Sequence, residues 1–172
     1  MRKLILSIAF MLLLISSIKA QNNNQIFLQL SMHQFELGYQ HKIFTQVVWG
    51  EVFAGTGNRD INRNFDDFLS GLRIGFNAFS NEKNLISFNT SVSIYIPNND
   101  YYKVLTPVYG VGVRFNRFIG TSKTHNLSVS TGYQYGEQDY KQEYFSEALK
   151  VVTTDNFEIA PLYFSLGYGY NF

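Results

Sequence analysis

The chain has 172 residues, a one-domain length, and its 45% hydrophobic against 16% charged content excludes a disordered chain. Its 16 Phe, 12 Tyr and 1 Trp beside 13 Gly, 3 Pro and no Cys favour strands and tight turns, and exclude disulfide scaffolds, thiol catalysis and Cys-based zinc sites. A formal net charge of +1 and the lack of any basic run give no field for a nucleic-acid backbone, so nucleic acid is not an expected partner.

Residues 1–20 read as a secretory signal peptide. Arg2 and Lys3 precede an apolar run from Leu4 to Ile15, followed by Ser16, Ser17, Ile18, Lys19 and Ala20, with cleavage expected between Ala20 and Gln21. The uncharged stretch from Leu4 to Ile18 is 15 residues, short of the roughly 20 that a spanning helix needs. Export followed by membrane insertion would therefore have to use strands. Removing Arg2, Lys3 and Lys19 leaves 11 basic against 13 acidic residues, a mature domain (21–172) near −2.

Past Gln25 the apolar residues recur at every second position, the period of a strand. At the amino end the parity switches: Ile26, Leu28, Leu30 and Met32 are even, whereas Phe35, Leu37 and Tyr39 are odd. A two-residue hairpin loop at His33 and Gln34, with Met32 and Phe35 as partners, explains the switch; a β-bulge in one long strand would also do so. The hairpin is preferred because it brings the count to eight, and bacterial closed barrels use even strand numbers. From Phe44 to Ala54 the alternation is blurred. Four clear strands follow, in which Leu72, Ile74 and Phe76, then Ile86 to Ile96, then Tyr109 to Phe115, then Leu127 to Tyr135 present alternate apolar positions. The last strand places Leu162, Phe164, Leu166, Tyr168, Tyr170 and Phe172 on one face.

Alternation alone does not say whether the apolar face meets a core or a lipid bilayer. The polar face does: from Gly71 to Asn171 it carries Gly, Ser, Asn and Gln with Arg73 and Arg114, and no Lys, Asp or Glu. Solvent-facing strands are normally rich in Lys and Glu, while small uncharged polar residues suit the interior of a narrow barrel. The expected fold is all-β, a closed antiparallel up-and-down transmembrane β-barrel of eight strands.

The carboxyl end SLGYGYNF, with Leu166, Tyr168, Tyr170 and terminal Phe172, resembles the C-terminal assembly signal of Gram-negative outer-membrane barrels. With the signal peptide and mature length, the chain resembles the small eight-stranded, porin-like outer-membrane proteins of the OmpA/OmpX type. The resemblance is one of pattern across the mature chain. It implies a place in the outer membrane, contact with outer-membrane lipid, and insertion by the barrel assembly machinery with Tyr170 and Phe172 in recognition positions. It implies no particular activity.

Short connections at 41–43, 81–84 and 120–124 alternate with long ones at 55–67, 97–106 and 137–156, which assigns the short set to the periplasm and the long set to the cell exterior. Within the expected lumen, Glu36, Arg73 and Arg114 form a polar network, because an unpaired buried charge is costly. The longest outer loop carries Tyr140, Tyr144 and Phe145, a candidate surface for an extracellular ligand or a strand extension packing on itself. The loop GTGNRDINRNFDD lacks calcium-loop spacing and reads as solvated. No cofactor or metal is expected. Two rival readings stand beside a non-enzymatic barrel: a lipid A-modifying hydrolase or acyltransferase centred on His33, Ser31 and Glu36, and a secreted lipocalin-like binding protein.

Overall fold

The computed structural model describes residues 23–44, 47–57, 67–96, 105–146 and 149–172. The expected signal peptide and the loop at 58–66 lie outside the described residues. All regular structure among the described residues is strand: β1 (Asn24–Ser31), β2 (Gln34–Phe44), β3 (Val48–Gly57), β4 (Asp67–Ser80), β5 (Asn84–Ile96), β6 (Thr106–Ile119), β7 (His125–Tyr135), β8 (Glu137–Ser146), β9 (Leu149–Glu158) and β10 (Leu162–Asn171).

Eight of these close into a barrel in the order β1-β10-β7-β6-β5-β4-β3-β2, while β8 and β9 pair as a separate two-stranded ribbon. Each barrel strand is hydrogen-bonded on both edges, and every neighbouring pair is antiparallel. Closure is what satisfies the backbone: an eight-strand sheet left open would keep two rows of unpaired N–H and C=O groups. The seam between first and last strands runs from Gln25↔Asn171 to Ser31↔Ser165, and Phe172 continues it by exchanging backbone hydrogen bonds with Asn24 at 2.9 and 3.2 Å.

The parity switch near the amino end is a hairpin, as preferred from the sequence, but its turn lies one residue earlier than expected. Leu30 pairs with Phe35, which puts Met32 and His33 at the tip. Ser31 explains the placement: its Oγ accepts the backbone N–H of His33 (3.1 Å) and Gln34 (2.9 Å), a side-chain turn that closes the reversal locally. The next turn is likewise displaced from 41–43, since β2 continues to Phe44 and β3 begins at Val48. The expected long loop at 137–156 is mostly strand, the β8–β9 ribbon.

The barrel has two ends. One carries the β1–β2 turn and the ribbon and is called here the hairpin mouth; the other carries the β4–β5 and β6–β7 turns and both ends of the barrel sequence, and is called the terminal mouth. The outward positions are apolar from strand to strand: Leu37, Leu72, Ile74, Val111, Leu127 and Leu166 are each more than half exposed.

Bulky inward groups pack within the lumen, and Phe27, Phe53, Leu69, Tyr95, Val108 and Ile159 form one buried cluster. Phe53, Leu69, Tyr95, Val108 and Ile159 gather toward the hairpin mouth, and Trp49 and Phe27 pack farther down. Ile159, in the connection between ribbon and barrel, is 2% exposed and donates its N–H to the Gly136 carbonyl at 3.1 Å.

Candidate functional site

Inward positions on β2, β3, β4 and β6 place four charges in one alternating chain. The Arg73 guanidinium donates to both carboxylate oxygens of Glu36, at 3.1 and 3.3 Å, and on its other nitrogen to Glu51. Glu51 in turn accepts from Arg114 at 2.7 and 3.2 Å. The order Glu36–Arg73–Glu51–Arg114 sums to zero charge. All four are at most 4% exposed. Mutual neutralisation and several hydrogen bonds per group are what make four buried ions tolerable in one lumen.

Amide side chains complete the network. Arg114 donates to Gln40 Oε1 and Gln29 Oε1, each at 3.3 Å, and Gln29 Nε2 donates to Ser165 Oγ at 2.6 Å, which ties the charges to the β1–β10 seam. Toward the hairpin mouth, Gln34 donates to Glu36 and accepts from the Tyr95 hydroxyl. Aromatic faces cover the guanidinium planes: Arg73 lies 4.5 Å from the Phe53 centroid, and Arg114 lies 5.1 Å from Trp49 and 5.5 Å from Phe27.

The expected trio Glu36, Arg73 and Arg114 therefore does point inward, but Arg114 reaches neither of the other two. Glu51, which the sequence reading did not single out, joins the two arginines. A signal existed. Trp49, Glu51 and Phe53 share one parity, and a carboxylate on an outward apolar belt would be the costlier alternative.

Ser31 and Glu36 of the enzymatic rival are each engaged in other contacts, and His33 is buried at the β1–β2 turn. Ser31 Oγ is held by the backbone of the β1–β2 turn, and Glu36 is committed to Arg73 and Gln34. His41 Nδ1 lies 2.7 Å from Asn24 Oδ1, and His125 Nδ1 lies 2.6 Å from the Tyr168 hydroxyl, both toward the terminal mouth. Among the described residues no group of three or more His, Cys, Asp or Glu side chains is arranged to hold a metal ion.

Tyr168, Tyr170 and Phe172 of the expected assembly signal belong to an aromatic band at that mouth, and Leu166 stands exposed above them. Phe172 stacks on Tyr170 (6.2 Å between centroids) and tilts against Tyr39 (6.5 Å), while His125 stacks on Tyr168 (5.9 Å). At the other end, Tyr140, Tyr144 and Phe145 all lie on β8. Phe145 is 77% exposed with Lys150 Nζ 5.6 Å from its ring centroid; the side chains of Tyr140 and Tyr144 lie outside the described residues.

Comparison with protein-family models, with curated proteins and with solved structures finds no match to this chain.

Proposed function

We propose that this barrel is an integral protein of the outer membrane of a Gram-negative bacterium, non-enzymatic, with a plugged lumen and an exterior ribbon that serves envelope integrity or surface interaction. One observation carries the reading: a closed barrel wears its large apolar side chains outside and its polar and charged side chains inside. Water would penalise that arrangement over every strand, whereas hydrocarbon favours it. Tyr39, Tyr168 and Tyr170, grouped around Phe172, have the amphipathic chemistry of a membrane–water interface.

Orientation follows from the same reading. The terminal mouth, with its short turns, faces the periplasm, and the β8–β9 ribbon stands at the cell surface. Residues 1–20 supply export, and the segment from Leu166 to Phe172 supplies recognition by the assembly machinery. Lumen packing supports a structural role over transport, because the charge chain and the aromatic side chains leave the axis occupied. The inward face mixes a buried ion network with apolar groups packed on one another, which supports a filled lumen over the predominantly apolar lining of a lipocalin-like pocket. The use of Ser31 in a turn and of Glu36 in an ion pair supports a non-catalytic reading of that corner.

Fractionation tests the proposal. The protein should sediment with the outer membrane and resist extraction by alkaline carbonate; recovery in the soluble periplasm or the medium would overturn it.

A further inference from the structure

The two halves of the lumen contribute unequally. β2, β3 and β4 send in Glu36, Trp49, Glu51, Phe53 and Arg73, whereas β5, β6 and β7 face the lumen mainly with Ser, Asn and Gly. On that small-residue wall three buried side-chain atoms have no hydrogen-bond partner: Asn89 Oδ1, Arg114 Nε and Ser130 Oγ. Their residues are 9%, 4% and 3% exposed, so bulk solvent does not serve these atoms from outside. Buried polar atoms are bonded in nearly every folded protein, to protein or to ordered water.

The strand register sets the three around one point of the wall. Gly112 and Gly132 are paired across β6 and β7, and Asn89 is paired with Gly112 from β5. Arg114 and Ser130 are the next inward pair along the same two strands. Tyr163 on β10 is paired with Gly132; its ring covers that glycine and its hydroxyl lies over Gly112. Directly paired residues on one face stand about 5 Å apart at Cβ and diagonal ones about 7 Å. Arg114 is thus a direct neighbour of Ser130 and a diagonal neighbour of Asn89, within reach of small bridging molecules.

The chemistry of the atoms identifies what bridges them. Arg114 Nε–H only donates, Asn89 Oδ1 only accepts, and the Ser130 hydroxyl does either. An anion would satisfy Nε and leave Oδ1 unmatched, and a cation would do the reverse. Arg114 already has Glu51 as its counter-ion, and the four-charge chain is neutral, so the wall has no net charge with which to hold an ion. Water both donates and accepts.

We infer that the wall around Gly112 and Gly132 binds ordered internal water, held by Arg114 Nε, Asn89 Oδ1 and Ser130 Oγ. About three hydrogen bonds to otherwise unmatched groups is the usual coordination of buried water. The site makes water a fixed member of the ion network, because it holds the guanidinium edge that faces away from Glu51, Gln40 and Gln29. The inference rests on the closed barrel and stands apart from the membrane reading, which fractionation tests separately.

The experiment is NMR of the isotope-labelled, folded full chain in detergent micelles, read as laboratory-frame and rotating-frame NOE cross-peaks from water to the Arg114 Nε–H. Cross-peaks of opposite sign in the two experiments, the mark of water that tumbles with the protein, are expected. They should persist in Y163F, which removes a hydroxyl proton able to relay them. They should be lost in N89L/S130A, with the circular dichroism and dispersed amide spectrum of a folded barrel retained. Absence of the cross-peaks in the unmodified protein, their loss in Y163F, or their full intensity in the folded double variant would overturn the inference. Should the double variant not fold, N89L takes its place, with severalfold weaker cross-peaks expected and unchanged ones contradicting the site. A shift of the Arg114 Nε–H resonance on replacing chloride by nitrate would show an anion in the place of water, and would also overturn it.

Discussion

Trp49 on β3 stands directly opposite Gly75 on β4, and its indole occupies the space that a Cβ at position 75 would need. The same relationship recurs across the barrel wall: Phe27 faces Gly38, Phe53 faces Gly71, and Tyr163 faces Gly132. Glycine in a strand is ordinarily weakening, but here each one makes room for an aromatic ring arriving from the neighbouring strand. The glycines of the inward face are thus the means by which a narrow barrel holds large rings.

A side chain at position 75 should therefore eject the indole. Gly75→Val is expected to destabilise the barrel by about 1–3 kcal/mol, the usual cost of overpacking. Since Trp49 is the only tryptophan, its emission reports the event without ambiguity. A red shift with a lowered urea midpoint is the expected result; unchanged emission would show that the lumen has room to spare.

Glu51 bridges both arginines, whereas Glu36 pairs with one arginine, Arg73, and accepts otherwise from the neutral Gln34. Glu51→Gln should accordingly cost more than Glu36→Gln, about 3–5 kcal/mol, because it removes Arg114's ion-pair partner and one of Arg73's two. Equilibrium unfolding of the two variants in one lipid system checks the order. Equal losses, or a larger loss for Glu36→Gln, would contradict the bridging role.

How much of this was legible follows from which signals are local. The outward face could be read from alternation on β4, β5, β6, β7 and β10, and Arg73 and Arg114 were placed inward by parity alone. β3 resisted because both of its faces carry apolar groups, Trp49 and Phe53 inward and Val52 outward, so Glu51 lost its context. Which charge meets which depends on register around a closed cylinder, and single-strand periodicity does not contain it. Ser31 illustrates the finer scale: a hydroxyl accepting two N–H groups moved a turn by one residue. The β8–β9 ribbon was expected mainly as a loop because polar and apolar residues mix on both its faces, and its strands pair only with each other.

Because neither ribbon strand joins the barrel ladder, the ribbon is expected to be dispensable for closure. Glu137 and Glu158 are directly paired across its base, so replacing 138–157 by Asn-Gly supplies a two-residue hairpin turn at the same point. The shortened chain should fold to the same barrel with an unfolding midpoint close to that of the full chain, measured in urea. Failure of the shortened chain to fold would show that the ribbon contributes to the barrel itself.

Removing a lumen charge should weaken the barrel without opening it. In Arg73→Ala the rings and aliphatic groups of Phe53, Leu69, Tyr95, Val108 and Ile159 still obstruct the hairpin mouth. A lower thermal midpoint with no single-channel openings in planar bilayers is expected. Discrete openings, in the variant or in the unmodified protein, would contradict a plugged lumen.

The central claim is that this closed barrel is embedded in the outer membrane, and the most direct test is the mobility of outer-membrane protein in SDS gels with and without boiling. Closed membrane barrels resist SDS until heated, so the unboiled sample should migrate as a compact band and shift on boiling to the position of the unfolded chain. A single mobility under both conditions, with the protein absent from the membrane fraction, would contradict the account.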